Sequence, residues 1–511
     1  MLITNITQLE FELLILFLVA IVVAMAIKYI KLPYEISLIL AGLAIGLLGV
    51  SEIGLSKDLI FFLFLPPLLF HGAINLELSK LRDNKRAIFL LSFFGVILGV
   101  LLVGFLINML TGIPLIYSLL FGAIIMPTDP VSVLAIFKEL GVPKKLSTII
   151  EGESLFNDGT GIVMFAVILG IIETGNFSFS STIFEFLKVT FGGLAIGLLL
   201  GYLALKLLER TDDVSVEVLI TIILAYMSFL VAESYFHVSG VFSVVASGLF
   251  IANNGKEFAM SPSSRVATIT FWDIMAFIVN TLIFILIGTV IPLKTLATNY
   301  PLIAIAIVVV VFSRAVIVYP LLNLLKLFKE KISYKWQHVI NWGGIHGSLP
   351  IALLLGIPKM KYFSEISLMV YGVVFFSLVV QGLTMKGLIR KLNIVSINRM
   401  EENYEVALVN NQATRAARKK LSEMLKANEI DKTVFKDLDT ELEEKEKKLQ
   451  TTISGIASSE VIKTKQFKIA RRKILISEKD AILQAIRKGQ ISDDLASVLI
   501  REIDESLENA V

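Results

Sequence analysis

The chain has 511 residues, of which 55% are hydrophobic and 18% charged, with a net charge of +3 and no cysteine. Mean hydropathy is +0.79. Soluble domains carry about a quarter charged residues, so a purely soluble chain is excluded, as are disulfides, thiolate chemistry and cysteine-ligated metals. The charge is also unevenly spread, with 50 Asp, Glu, Lys and Arg in residues 1–400 and 41 in residues 401–511. Residues 1–395 therefore read as an integral membrane domain and residues 396–511 as an aqueous, cytoplasmic helical domain.

Residues 11–27 could imitate the apolar core of a signal peptide. Residues 1–10 hold no Lys or Arg, however, and no small-residue cleavage site follows, so a retained first span is expected. Apolar runs of about 20 residues mark spans. Thirteen are expected, near 10–28, 33–50, 57–76, 86–110, 114–137, 146–171, 182–207, 215–236, 239–253, 270–291, 301–326, 336–356 and 365–390. Alternate connections carry 20 basic residues, among them Lys80, Arg82, Lys85 and Arg86, against 5 on the opposite side. The positive-inside rule then places the N-terminus outside and the tail in the cytoplasm of a multi-pass protein of the plasma (inner) membrane.

Spans 5 and 12 are interrupted, at Pro127-Thr128-Asp129-Pro130 and at Gly343-Gly344-Ile345-His346-Gly347-Ser348-Leu349-Pro350. Proline removes an amide donor and glycine is a poor helix former. Paired breaks in corresponding halves point to the binding site of an inverted-repeat transporter. Spans 1–6 and 8–13 would be the repeats, with span 7 connecting them. Beyond residue 396, apolar positions recur every seventh residue (Ile462, Ile469, Ile476, Leu483) and then every fourth (Ile491, Leu495, Leu499, Ile503, Leu507). This is the pattern of a small helical bundle or self-association surface.

Carboxylates cluster beside the first break, in Glu151-Gly152-Glu153-Ser154-Leu155-Phe156-Asn157-Asp158. A charge at the centre of a span costs about 3 kcal/mol on insertion scales, so the cluster suggests an ion or proton site. Ser154 and Asp158 share one helix face, and Glu153 and Asn157 another. Asp158 lies midway along its span, where a proton and a metal cation would compete for it. Hard cations prefer oxygen, and Asp158, the Ser154 and Thr128 hydroxyls and carbonyls freed by the break supply it. Arg314, alone in span 11, needs a partner, and Glu153 is the candidate. Asp129 could face the positive end of a half-helix from span 12. His71 and His346 are lone membrane histidines, which are more often hydrogen-bonded packing residues than proton relays, and Glu233 and His237 are expected at the outer surface.

These stretches, with Phe271-Trp272, Asn280, Phe284, Arg314 and Gly343-Gly344 with Gly347, resemble the sodium/proton exchangers of the NhaP and NHE type over roughly residues 10–390. The resemblance implies a homodimer of all-α, thirteen-helix protomers with crossed broken helices in a moving core, and elevator-type alternating access. It implies that Asp158 takes Na+ (or Li+) or a proton, with Thr128 and Ser154 as co-ligands. Asn157 would hold the crossing and Glu153 would pair with Arg314. The Asn157-Asp158 pair implies electroneutral one-for-one exchange. His71 stands where relatives often carry a carboxylate, and His346 where they usually carry arginine, so both could shift the pH range of activity. The partners expected are Na+ or another monovalent cation, H+ and membrane lipid. No enzyme activity, no cofactor beyond the transported cation and no nucleic acid are expected. The alternatives are potassium as cargo, an intramembrane aspartyl hydrolase using Asp129 and Asp158, and a channel or receptor.

Overall fold

The computed structural model describes residues 14–26, 33–48, 58–175, 178–211, 213–255, 259–328, 330–394, 398–427 and 429–457, with isolated positions between 463 and 499. Residues 1–10 and the spaced apolar residues Ile462, Ile469, Ile476, Leu483, Ile503 and Leu507 lie outside the described residues. All regular structure among the described residues is helical. The chain forms two compact units, Met1–Asn393 and Ile394–Val511.

The first unit opens with α1 (Leu14–Ala26), α2 (Tyr34–Leu48), α3 (Leu59–Asn75) and α4 (Lys85–Thr111). A helix in two pieces follows, α5 (Leu115–Ile125) and α6 (Val131–Leu140). Next come α7 (Lys144–Thr174), α8 (Thr182–Leu208), α9 (Val214–Tyr235), α10 (Gly240–Gly255), α11 (Pro262–Val290) and α12 (Tyr300–Phe328). A second divided helix, α13 (Tyr334–Trp342) and α14 (Leu349–Leu355), precedes α15 (Phe363–Lys391). Seven of these (α4, α7, α8, α9, α11, α12 and α15) are long and apolar enough to cross a membrane.

Local chemistry sets the ends. Asp213 caps α9 by accepting from the main-chain N–H of Ser215 and Val216 at 2.8 and 3.1 Å, which satisfies two otherwise orphaned donors. Ser333 does the same for α13 through Trp336 at 3.3 Å. One boundary differs from expectation: α11 begins at Pro262, eight residues before the expected start at 270. Arg265 and Asp273 dilute the apolar run there, but Ser261 caps the helix and Pro262 occupies its first turn, a strong start signal.

α2 and α11 meet backbone to backbone. A β carbon at Gly42 would run into the Ile285 carbonyl oxygen, and one at Gly288 into that of Ile39. Small residues permit such close packing of membrane helices. Trp272 of α11, fully buried, donates to Thr221 Oγ1 of α9 at 3.0 Å and packs on Phe70 of α3 at 4.7 Å between ring centroids. α2, α3, α9 and α11 are thereby locked together.

The longest described stretches of the second unit are two helices, α16 (Asn398–Lys426) and α17 (Lys432–Ala457). Arg418 makes a two-pronged contact with Asp439 at 2.8 and 3.1 Å and reaches Glu446 at 3.1 Å, while Arg415 holds Glu446 at 2.8 Å. The Arg418 hydrogen bonds hold the Asp439 carboxyl below its ordinary range.

Candidate functional site

The unwound segments between α5 and α6 and between α13 and α14 leave main-chain groups that helix geometry no longer satisfies. In an apolar medium each must find a partner, and the partners come from the sequence motifs. Asp129 N–H donates to the Ile345 carbonyl at 2.6 Å, tying one break directly to the other. The Thr128 carbonyl accepts from Ser154 Oγ of α7. Asn157 donates from Nδ2 to Thr128 Oγ1 at 2.9 Å, and its Oδ1 accepts from Thr128 N–H at 3.5 Å. At the second break, α15 widens into a π-helical turn over Ser377–Gln381. From that turn Ser377 Oγ accepts from His346 N–H at 3.1 Å and Gln381 donates to the Trp342 carbonyl at 3.2 Å.

Arg314 of α12 is buried and pairs with the equally buried Glu153 of α7 at 2.8 Å. It also donates to the Asn341 and Ile340 carbonyls at 3.1 Å each, at the C-terminal end of α13, where a cation is favoured. Gly344 leaves room for its guanidinium, since a β carbon there would overlap it. Arg314 therefore ties α7, α12 and the second break into one unit.

Asp129 accepts from Val131 N–H at 2.9 Å through Oδ1, closing the first turn of its own half-helix α6. Its carboxylate also lies against Gly347, two residues before α14, where a β carbon would displace it. Sequence reasoning pointed to the span 12 half-helix and missed the local turn by which Asp129 leads into α6. Asp129-Pro130-Val131 is nonetheless a recognisable start signal.

Where the two breaks meet lies a cavity of about 260 Å³ whose wall includes Thr128, Asp129, Glu151, Ser154, Asp158 and Asn280. Thr128, Ser154 and Asp129 are engaged as above. Asp158 makes no hydrogen bond or ion pair among the described residues, although it sits between two helix breaks. Its oxygens are thus open to the cavity. On its other flank, Gly159 abuts the ring of Phe242. There Val163, Phe186 and Phe242 form a buried cluster. Val163 of this cluster also lies in the wall of a second cavity of about 510 Å³, together with Glu185, Glu233 and His237.

Three placements add what the sequence alone did not specify. His71 Nε2 lies 2.9 Å from Asp273 Oδ1, a contact spanning 202 residues of sequence, so the histidine at the cavity wall brings a carboxylate of α11 with it. His346 is 2% exposed and is not part of the cavity wall. The unwound segment buries it in the core, away from the cavity. Glu233 is not simply a surface group, for its carboxylate accepts from Gly240 N–H at 3.0 Å and fixes the turn into α10.

Comparison with known proteins gives consistent results. A profile described as the sodium/hydrogen exchanger, transmembrane family matches residues 13–391. The chain is 35% identical over 477 residues to the Na(+)/H(+) antiporter ApNhaP of Aphanothece halophytica, covering 92% of this chain and 91% of that one. It is 35% identical over 495 residues to the Na(+)/H(+) antiporter NhaG of Bacillus atrophaeus, with 94% and 93% covered. In three dimensions it is similar to the sodium proton antiporter MjNhaP1 of Methanocaldococcus jannaschii, with a TM-score of 0.64 and 22% identity over 75% of this chain and 99% of that one.

Proposed function

We propose, from the premise that this chain belongs to the sodium/hydrogen exchanger family, that it exchanges Na+ (or Li+) for H+ across the membrane, with Asp158 as the site both ions share. The observation that carries this is the unpartnered Asp158 carboxylate in a cavity at the contact of two broken helices. The chain is a transporter and not an enzyme, as its antiporter relatives are. Those relatives are named for sodium, which favours sodium over potassium as cargo here.

In this scheme Thr128 and Ser154 contribute oxygens to the cation and Asn157 braces the first break. Alternating access is of the elevator type: the cavity gives Asp158 access from one side, while the Val163, Phe186 and Phe242 cluster closes the other. Thirteen spans in two inverted repeats, an outer N-terminus, a cytoplasmic helical domain over 396–511 and assembly as a homodimer in the plasma membrane belong to the same proposal.

The test is proton flux in vesicles holding a trapped pH dye. External sodium or lithium should drive a pH change, and potassium much less. No response to any alkali cation would remove the proposal.

Stoichiometry follows from position 157. At one proton per cation, a pH unit supplies about 1.4 kcal/mol and balances a tenfold sodium gradient. The cycle then ignores voltage. A second titrating carboxylate at Asn157→Asp would add about 2.3 kcal/mol per 100 mV to the driving force. Wild-type flux should be unchanged by a clamped potential. If Asn157→Asp remains active but equally voltage-blind, the carboxylate count alone does not set the stoichiometry.

A further inference from the structure

Among the carboxylates in the wall of the Asp158 cavity, Asp129 is held by Val131 N–H, and Glu151 has neither a part in the exchange scheme above nor a hydrogen bond to the described residues. We propose that Glu151 is a second, peripheral position for the transported cation, occupied by a partly hydrated sodium ion before it reaches Asp158. This rests on Asp158 being the transport site.

The register of α7 places the two carboxylates. Seven residues are almost two helical turns, so Glu151 and Asp158 share a face about 10.5 Å apart along the axis. Ser154 and Leu155 lie between them on that face, and both line the same cavity. Glu151 therefore stands one step further along the cavity, toward the Lys144 end of α7.

Its lack of a partner is informative. Ionisable groups at membrane depth pair with one another or with main-chain groups. Glu153, two residues on, points to the other side and is held by Arg314. Glu151 has no hydrogen bond or ion pair among the described residues. The neighbouring cation, Lys80, is already engaged with Glu77 at 2.5 Å. Lys80 acts on Glu151 only at longer range than a hydrogen bond or ion pair, and the cavity leaves the carboxylate open to a cation of its own. No soft ligand lies in the wall, so the fitting occupant is a hard monovalent cation that keeps part of its water shell.

Two carboxylates at this separation cannot grip one ion together, and occupancy is sequential. A charge that concentrates ions in a low-dielectric cleft raises local cation density and speeds capture. It acts on the sodium concentration needed for half-maximal flux and spares the turnover of the loaded carrier.

The test varies charge at this one position in full-length protein reconstituted in vesicles. Glu151→Gln should raise the sodium KM about threefold to tenfold, with the maximal rate within about twofold of wild type, while Glu151→Asp stays near wild type. The chain has no native cysteine, so Glu151→Cys introduces a unique thiol. Modification with a sulfonatoethyl thiosulfonate, which is negative, should bring KM back down, and a trimethylammonioethyl thiosulfonate, which is positive, should raise it further. A KM indifferent to the sign of that charge overturns the proposal, as does a fall in maximal rate at constant KM. Asp158→Asn, run alongside, separates the two claims. If wild-type flux is driven by sodium and is lost in Asp158→Asn, a charge-blind KM at position 151 sinks the peripheral position alone. If wild-type vesicles show no sodium-driven flux, the transport assignment and the peripheral position fall together.

Discussion

Asp158→Asn is expected to abolish sodium-driven proton flux, by at least about 100-fold, or roughly 2.7 kcal/mol at 1.36 kcal/mol per decade, while leaving the protein folded. The amide keeps the shape of the side chain and one carbonyl oxygen but can neither release a proton nor neutralise a cation. Each half of the cycle therefore fails. Stability should move the other way. Asp158 makes no hydrogen bond or ion pair among the described residues, and burying an unpaired charged group is costly. Thermal unfolding of Asp158→Asn in detergent should occur at or above the wild-type temperature. Loss of flux with unfolding at a much lower temperature would instead assign Asp158 to the scaffold.

The second large effect concerns Glu153 and Arg314. Glu153→Gln strands a guanidinium that is buried, and breaking a buried pair costs about 3–5 kcal/mol. Arg314→Met should be worse, because it also frees the Asn341 and Ile340 carbonyls that Arg314 caps. Arg314→Lys should not rescue it, since an ammonium cannot reproduce the planar fork that reaches three oxygens. The double variant Glu153→Gln with Arg314→Met should be less damaged than the sum of its parts, the signature of coupled neighbours. Thermal unfolding of the four proteins gives the ranking. Equal, small shifts in all of them would mean the pair is dispensable for the fold. The asymmetry between Asp158 and Glu153 is the physical difference between an ion site and a brace: one carboxylate is left open, the other is saturated.

Much of this was legible in the chain. Proline and glycine clusters mark the breaks because they act on the main chain itself, and α5 ends at Ile125 while α13 ends at Trp342, next to those clusters. The lone arginine in an apolar run called for a carboxylate, and few were at matching depth. What escaped depends on which way a side chain turns. Asp273 carried no signal although it lies inside the expected span 270–291, because hydropathy averages a window and cannot see which way one side chain turns. Its approach to His71 joins residues with no periodic relation. Glu151 and Glu153 differ by two positions in one motif, and only the helix face separates a cavity-lining carboxylate from a paired one. The Ser377–Gln381 turn gave no signal, since a π-helical turn uses ordinary helix-forming residues. The Arg418 contacts with Asp439 and Glu446 likewise required the folding back of α17 on α16.

The claim that one carboxylate holds either a proton or a sodium ion is tested most directly by sodium-dependent flux in vesicles over a range of pH. Competition predicts that, on the acid side, the sodium KM rises about tenfold for each pH unit, the 1.4 kcal/mol equivalent of that step. Maximal flux at saturating sodium should stay constant. A KM that stays flat while the maximal rate titrates would mean that proton and cation bind at separate places, and would contradict the account.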